Sequence, residues 1–304
     1  MAMAKILFIG VSTGNSLIHR AFPAWAEHLG LKAEIVGVDL PLGAAPEDYV
    51  RVVEDIRADA DCLGAVVTTH KVALYQAAAQ QFDALDELAL SCGEINSIRS
   101  SGVELAGFAR DPISVGRVVD GIWPTSRGTV LCLGCGGTAI ALGRHLLARG
   151  HQGTITAVDR DPAAVKRLAE ALDDDRVHAQ CSAAPWDETI AGLEPGALIV
   201  NATGMGKDRP GSPVTDAAVF PADAVVWELN YRGDLRMLDL ARAQSQQRRL
   251  AVHDGWSLFC EGWAAALSAV LALPDDPQLG ERFAALARDL KPEHLRPEHS
   301  SSHR

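Results

Sequence analysis

The stretch Thr129 to Asp159, TVLCLGCGGTAIALGRHLLARGHQGTITAVD, decides how the rest of the chain is read. Val130-Leu131-Cys132-Leu133 is an apolar run of strand length, and Thr154-Ile155-Thr156-Ala157-Val158 is a second, β-branched one. Between them stands Gly134-Cys135-Gly136-Gly137-Thr138-Ala139, spaced G-x-G-x-x-A. Leu142, Leu146 and Leu147 follow at helical spacing, and Gly150 supplies a stop. The second strand ends on Asp159. In such a unit the first glycine permits a tight turn and the second lets backbone approach a pyrophosphate. The small third residue lets helix pack close on strand. The helix start offers free N–H groups and a positive dipole end to the phosphates. The stretch therefore predicts a Rossmann dinucleotide site cradled by Gly134, Gly136, Gly137 and Thr138. The alternative is a glycine turn that serves only helix–sheet packing.

Asp159 bears on which dinucleotide. An acid at the tip of this strand can accept from both ribose hydroxyls of NAD and repels the 2′-phosphate of NADP. Arg160 offers that phosphate a cation, so NAD is expected and NADP is the alternative. Asp159 and Asp161 can also be read as caps of a helix that begins at Pro162.

The chain has 304 residues, 48% hydrophobic and 22% charged, which suits a globular protein of two domains. A net charge of -11 argues against a nucleic-acid backbone as the main partner. No apolar run is long enough to span a bilayer, so no membrane partner is expected. Met1 to Lys5 leads straight into the strand Ile6–Ile9 without a signal-peptide arrangement, which makes the cytoplasm the expected location. Cys132 and Cys135 form a C-x-x-C, but one lies in a strand and the other in the glycine turn. They read as small buried residues, and no metal site is expected.

Ahead of this unit the chain alternates strand and helix, the pattern of an α/β domain. Strands are expected at Lys5–Gly10, Ala33–Val38 and Gly64–Thr68, and helices at Ser16–Leu29 and Asp48–Ala58. A hairpin is expected around Ser100-Ser101-Gly102. A helix from Asp111 to about Trp123 leads into the second domain. That domain has later strands at Ala197–Val200 and Ala224–Leu229. The apolar segment Trp256–Leu271 reads as a helix that returns to the first domain. The division expected is residues 1–112 with 252–290, then 113–251, then a polar, disordered tail over 291–304.

Lys71 directly follows a strand, where open α/β sheets bind ligands, and a lysine there can donate to or accept a proton from a substrate hydroxyl. Taken alone it can also be a surface lysine. Asp111, before Pro112, can be an acid/base partner or a helix cap. Spacing does not show whether the two meet.

The order of motifs bears on that question. Asn15-Ser16-Leu17-Ile18-His19-Arg20-Ala21-Phe22 resembles the S-P-x-x-H-N-x-x-F segment of the shikimate dehydrogenase family, which includes quinate/shikimate dehydrogenases. Val67-Thr68-Thr69-His70-Lys71 resembles V-T-x-P-x-K, and Gly93-Glu94-Ile95-Asn96-Ser97 resembles G-A-x-N-T. Gly107-Phe108-Ala109-Arg110-Asp111 resembles G-x-N-T-D. Asn201-Ala202-Thr203 resembles the N-A-T run, and Glu228-Leu229-Asn230-Tyr231 resembles D-x-x-Y. Asp254-Gly255 to Glu261-Gly262 resembles D-G-x-x-M-L-x-x-Q-G.

The resemblance implies an N-terminal substrate domain, a Rossmann domain and a C-terminal helix returning to the first. It implies Lys71 and Asp111 as the catalytic pair. Thr68, Asn96 and Tyr231 would line the substrate pocket, with Asn201 and Thr203 near the nicotinamide. The implied partner is a small cyclic polyol acid, bound by a monomer or homodimer. Two serines that grip the acid's carboxylate would fall at Thr13 and Asn15, and a substrate-facing glutamine at Glu261. The segments leading to Lys71 and Glu261 each look one residue short. An acid at 261 would repel a carboxylate unless paired, with Arg110 as a candidate partner, and would suit an amine-bearing analogue. Two other readings remain: a folate-type methylene dehydrogenase, and a non-catalytic dinucleotide-binding sensor. The motif order argues against the first, and retention of Lys71 with Asp111 against the second.

Overall fold

The structure is a computed structural model that describes residues 3–207 and 210–296. The first part of the chain runs β1 (Ala4–Gly10), α1 (Ile18–His28), β2 (Ala33–Asp39), α2 (Pro46–Ala58), β3 (Cys62–Val67) and α3 (Lys71–Ala78). It continues with β4 (Ala84–Leu85), α4 (Glu87–Cys92), β5 (Ser97–Ser100), β6 (Leu105–Phe108) and α5 (Asp111–Ile122). Its strands form a six-stranded sheet in the order β2-β1-β3-β5-β6-β4. β1 pairs in parallel with β2 on one side and β3 on the other. The chain therefore reverses its winding at β1, and a crevice opens beyond the ends of β1 and β3. β5 and β6 are the expected antiparallel hairpin.

The second part runs β7 (Val130–Leu133), α6 (Gly137–Ala148), β8 (Ile155–Asp159), α7 (Pro162–Leu172), β9 (Val177–Cys181), α8 (Asp187–Ala191) and β10 (Leu198–Asn201). Then come β11 (Val225–Glu228), α9 (Arg236–Arg248), β12 (Ala251–His253), α10 (Trp256–Val270) and α11 (Leu279–Leu286). The sheet is parallel throughout, in the order β12-β11-β10-β7-β8-β9. This is the doubly wound order, with its switch point between β7 and β10. β7 and β10 are fully buried, which is why they read as unbroken apolar runs.

α10 packs on α5, α11, β3 and β5, and so returns to the first sheet as expected. Its Trp256, Phe259 and Trp263 join Ile6, Phe8 and Trp25 in one core. Trp25 of α1 stacks on Phe283 of α11 at 4.4 Å and donates from its indole N–H to the Phe283 carbonyl at 3.0 Å. α5 packs against both α6 and α10, so the division drawn at residue 112 falls within a single helix.

Several elements were not anticipated. β9 is an edge strand in which only Val177 and Ala179 are partly buried, and β12 has three residues, so neither gives an apolar period long enough to read. α9 buries only Met237, Leu238 and Ala241 on an otherwise polar helix. The tail expected to be disordered from 291 is placed as far as 296. Leu295 is buried against Leu235 and Leu238, and Lys291 pairs with Asp254 at 2.9 Å. One apolar anchor in a polar segment is enough to hold it. The rest of that tail lies outside the described residues. Among the described residues no helix is long and apolar enough to cross a membrane.

Candidate active site

The two crevices face each other across one cleft of about 670 Å³. Lys71 and Asp111 meet in it, although forty positions separate them. β3 ends at Val67, and a tight path through Thr68 and His70 delivers Lys71 into the first turn of α3. That path holds without the proline of the family motif because His70 is buried and pinned. Its ring nitrogens lie 2.8 Å from the Tyr49 hydroxyl and 3.0 Å from the Leu40 carbonyl. Asp111 does not act as a cap, since Arg110 occupies the cap position of α5. The Asp111 carboxylate instead accepts from the Lys71 ammonium and from the Asn96 amide. Asn96 is fixed in turn, its carbonyl oxygen accepting from the Arg110 N–H at 2.8 Å and the Ser97 hydroxyl at 3.0 Å.

A third charged group belongs to this cluster and was not singled out from the sequence. Glu94 is 1% exposed, and its Oε2 lies 3.1 Å from the Lys71 ammonium. The available signal was an acid where the G-A-x-N-T motif has its small residue. Burial opposes the charge on Lys71, but the Asp111 and Glu94 carboxylates outweigh it and hold the ammonium well above the usual lysine range. Burial pushes the Glu94 carboxyl up to about 7, with Lys71 pulling the other way and Asp111 adding to the rise.

On the dinucleotide side, Gly134 has φ +104°, and a Cβ there would stand 2.8 Å from the Ala202 carbonyl oxygen. The turn after β7 is thus pressed against the turn after β10. Gly136, Gly137 and Thr138 line the cleft at the start of α6, and a Cβ on Gly136 would meet nothing within 4 Å. α6 has no side-chain cap, so its first N–H groups are left for a ligand. These residues fit a dinucleotide pyrophosphate. Gly134→Ala is expected to weaken dinucleotide binding about tenfold to a hundredfold, from roughly 1–3 kcal/mol of backbone strain. Quenching of intrinsic tryptophan fluorescence measures it.

The Asp159 carboxylate accepts from the Cys135 N–H at 2.9 Å and from the Asp161 N–H at 3.0 Å, which ties it to the glycine turn. Asp161 caps α7 through the Ala163 N–H at 2.9 Å, and Arg160 is exposed between them. Cys132 and Cys135 are packed into the core, and burial pushes the Cys135 thiol up to about 12. Asn201 and Thr203 line the cleft. The Asn201 amide donates to Glu228 at 2.6 Å, and its carbonyl oxygen accepts from the Thr203 hydroxyl at 2.7 Å. Glu228, 1% exposed, also accepts from the Asn230 N–H at 2.9 Å and the Asn230 amide at 2.7 Å.

On the substrate side the expected residues divide. Thr68 and Tyr231 line the cleft, with Tyr231 packed 4.6 Å from the Phe259 ring. Thr13 lines it too, but its hydroxyl donates to Asp39 at 2.5 Å. Asn15 is exposed outside the cleft lining, with its amide 3.5 Å from the Ser12 hydroxyl. Ser12 and Ser16 line the cleft instead. Glu261 is not brought to the cleft either. α10 presents Leu258, Phe259, Gly262, Trp263 and Ala266 to it, the i, i+3, i+4 face of one helix. Glu261 lies about 100° round the helix from Gly262, on the side away from that face. There it meets Arg117 of α5 at 3.8 Å and abuts Gly280 of α11. The helix is unbroken from Trp256, and counted from Asp254-Gly255 it is Gly262 that stands at the position of the motif's glutamine. A Cβ on Gly262 would meet nothing within 4 Å. Arg110 is not the partner of Glu261, for it pairs with Asp86 and lies 5.0 Å over the Phe108 ring. With Glu261 turned away, the argument for an amine-bearing substrate loses its carboxylate.

No protein-family model matches the chain. The shikimate dehydrogenase (NADP(+)) of Brucella canis is 28% identical over 243 residues, covering 76% of this chain and 77% of that protein. The shikimate dehydrogenase (NADP(+)) of Rhodospirillum rubrum is 32% identical over 250 residues, covering 78% of this chain and 81% of that protein. Among solved structures, quinate dehydrogenase from Corynebacterium glutamicum in complex with NAD superposes with a TM-score of 0.73 at 20% identity. That match covers 94% of this chain and 99% of the other. Identity and coverage at this level, with the same two-sheet fold, establish that the chain belongs to the shikimate dehydrogenase family.

Proposed function

We propose that this protein is a nicotinamide-dinucleotide-dependent oxidoreductase. It interconverts a ring hydroxyl and a ketone of shikimate, quinate or a related cyclic acid. The observation that carries this reading is the Lys71–Asp111 pair, set in one cleft with the start of α6. The bound dinucleotide supplies the hydride chemistry. Lys71 donates a hydrogen bond to the reacting oxygen and handles its proton. Asp111 orients the ammonium, and Asn96 orients Asp111. Ser12, Ser16, Thr68 and Tyr231 hold the ring, and Lys207 and Arg232 of the same cleft provide positive charge for its carboxylate. The open space at Gly262, beside Phe259 and Trp263, suits a ring less hydroxylated on that side than shikimate. Residues 1–112 with 252–290 form the substrate domain of this reading, and 113–251 the dinucleotide domain.

NAD is the proposed cofactor. The Asp159 carboxylate is held at the turn by two backbone N–H groups and presents negative charge where a 2′-phosphate would sit. The curated relatives carry NADP(+) in their names, so the two cofactors are to be compared directly. Dinucleotide reduction is followed with shikimate, quinate and deoxy analogues, offering NAD and NADP separately. The expected result is turnover with one of these acids and a kcat/KM for NAD at least about tenfold that for NADP. Asp159→Ser is expected to bring the two together. Faster turnover with NADP would assign the phosphate to Arg160 and leave Asp159 a turn residue. No turnover with any ring acid would remove the reaction.

A further inference from the structure

Glu94 is a buried acid that the reaction above does not use. It follows Gly93, which closes α4 in the left-handed conformation at φ +63°, and it enters the cluster from the strand side. Its Oε2 lies 3.1 Å from the Lys71 ammonium as an ion pair, and neither of its carboxylate oxygens makes a well-formed hydrogen bond among the described residues. The start of α6 closes over the pair. A Cβ on Gly137 would stand 2.6 Å from Glu94 Oε2 and 2.6 Å from Lys71 Cε. One ammonium therefore sits between two carboxylates, which leaves one surplus negative charge in a water-poor site when all three groups are ionised. Such a site favours taking up one proton.

We propose that Glu94 is a positioning residue that clamps the Lys71 ammonium from a second side and stores the proton Lys71 exchanges with the substrate oxygen. The inference rests on the oxidoreductase reading. In the oxidation direction the carbinol C–H leaves as hydride to the nicotinamide. As the hydroxyl proton passes to Lys71 Nζ, the ammonium hands one of its own protons to the Glu94 carboxylate, and the C=O bond forms. Before the step Lys71 and Glu94 hold one proton between them. After it they hold two, and the extra proton leaves to water. Reduction runs the same exchange backwards.

The groups facing Glu94 are Lys71 of α3, Asp111 of α5 and Cys92 of α4, while Arg144 of α6 lies beyond Cys92 and donates to the Ser91 carbonyl at 2.8 Å. Lys71 and Glu94 titrate as a coupled pair. With a Glu94 carboxyl at about 7, its surplus proton is lost near neutrality. The oxidation kcat/KM should then rise with pH through that range.

The test compares the wild type with Glu94→Gln and Glu94→Ala, the second placing the small residue of the family motif. The pH profile of kcat/KM is measured between about pH 5.5 and 8.5. The expected result is that the rising limb disappears in both variants, with kcat about tenfold lower and the substrate KM little changed. An infrared difference spectrum over the same range, without substrate, gives a second readout. Both variants should lose one protonated-carboxyl band and keep the one from Glu228, whose carboxyl also lies near 7. A limb that survives in both variants, or a carboxyl band that neither removes, overturns the inference. If the wild type turns over no ring acid but the band is lost in both variants, the proton site stands and the reading of the reaction fails.

Discussion

Lys71→Ala is expected to lower kcat by roughly 10²–10⁴-fold, the range for loss of a positioned proton-transfer group. Dinucleotide binding should survive. The proposed cofactor cradle, Gly134, Gly136 and Asp159, belongs to the other sheet, and Lys71 contributes no hydrogen bond to it. Removing the ammonium leaves Asp111 and Glu94 as neighbouring carboxylates without a cation between them. The simplest response is protonation of Glu94, which burial already favours. The variant should therefore fold, and should lose more stability at high pH than at low. Steady-state kinetics, a fluorescence titration with NAD and thermal melts at two pH values separate these effects. Turnover within about tenfold of wild type would mean that the proton is handled elsewhere.

Glu228→Ala is expected to destabilise the dinucleotide half by about 3 kcal/mol or more. The side chain accepts from the Asn201 amide, the Asn230 N–H and the Asn230 amide, all at its own buried position. Truncation strands these donors at about 1–3 kcal/mol each. It also loosens the ends of β10 and β11, which carry Asn201, Thr203 and Tyr231 into the cleft, so NAD affinity should fall with stability. The acid has a pH dependence of its own. Burial raises its carboxyl to about 7, against the pull of the Asn230 and Asn201 donors. The folded state thus binds this proton more tightly than the unfolded chain from about pH 4.5 upward. The stabilisation is complete below that value and is lost as pH rises through 7. Chemical denaturation of wild type and Glu228→Gln across this window should show the wild type losing ground as pH rises. A difference that stays flat would place the carboxyl in its ordinary range.

The elements that were legible share one property: their information lies in contiguous residues. The buried strands β7 and β10, the glycine turn and the apolar α10 announce themselves through period, composition and turn chemistry. β9, β12 and α9 were missed because they are short, exposed or polar, and only pairing with neighbours makes them elements. Of the residues that the motif order pointed to, Lys71, Asn96, Asp111, Thr68 and Tyr231 line the cleft. Asn15 and Glu261 do not line it, and for Glu261 a one-residue offset in the motif is enough, because a helix does not tolerate it. One residue on α10 is about 100° of rotation. That is the difference between an acid facing the substrate and an acid facing Arg117.

By itself the sequence determined the α/β architecture and the glycine turn, since spacing, glycine placement and apolar period act over a few residues, while the proton-handling candidates came from the resemblance in motif order. Only the tertiary structure decided which side chains meet. Lys71, Glu94 with Asn96, and Asp111 come from three separate segments, and their contacts exist only once α3, β5 and α5 are packed together. The Glu94 carboxyl is displaced by the same packing, because desolvation is a property of the folded interior and not of any stretch of chain.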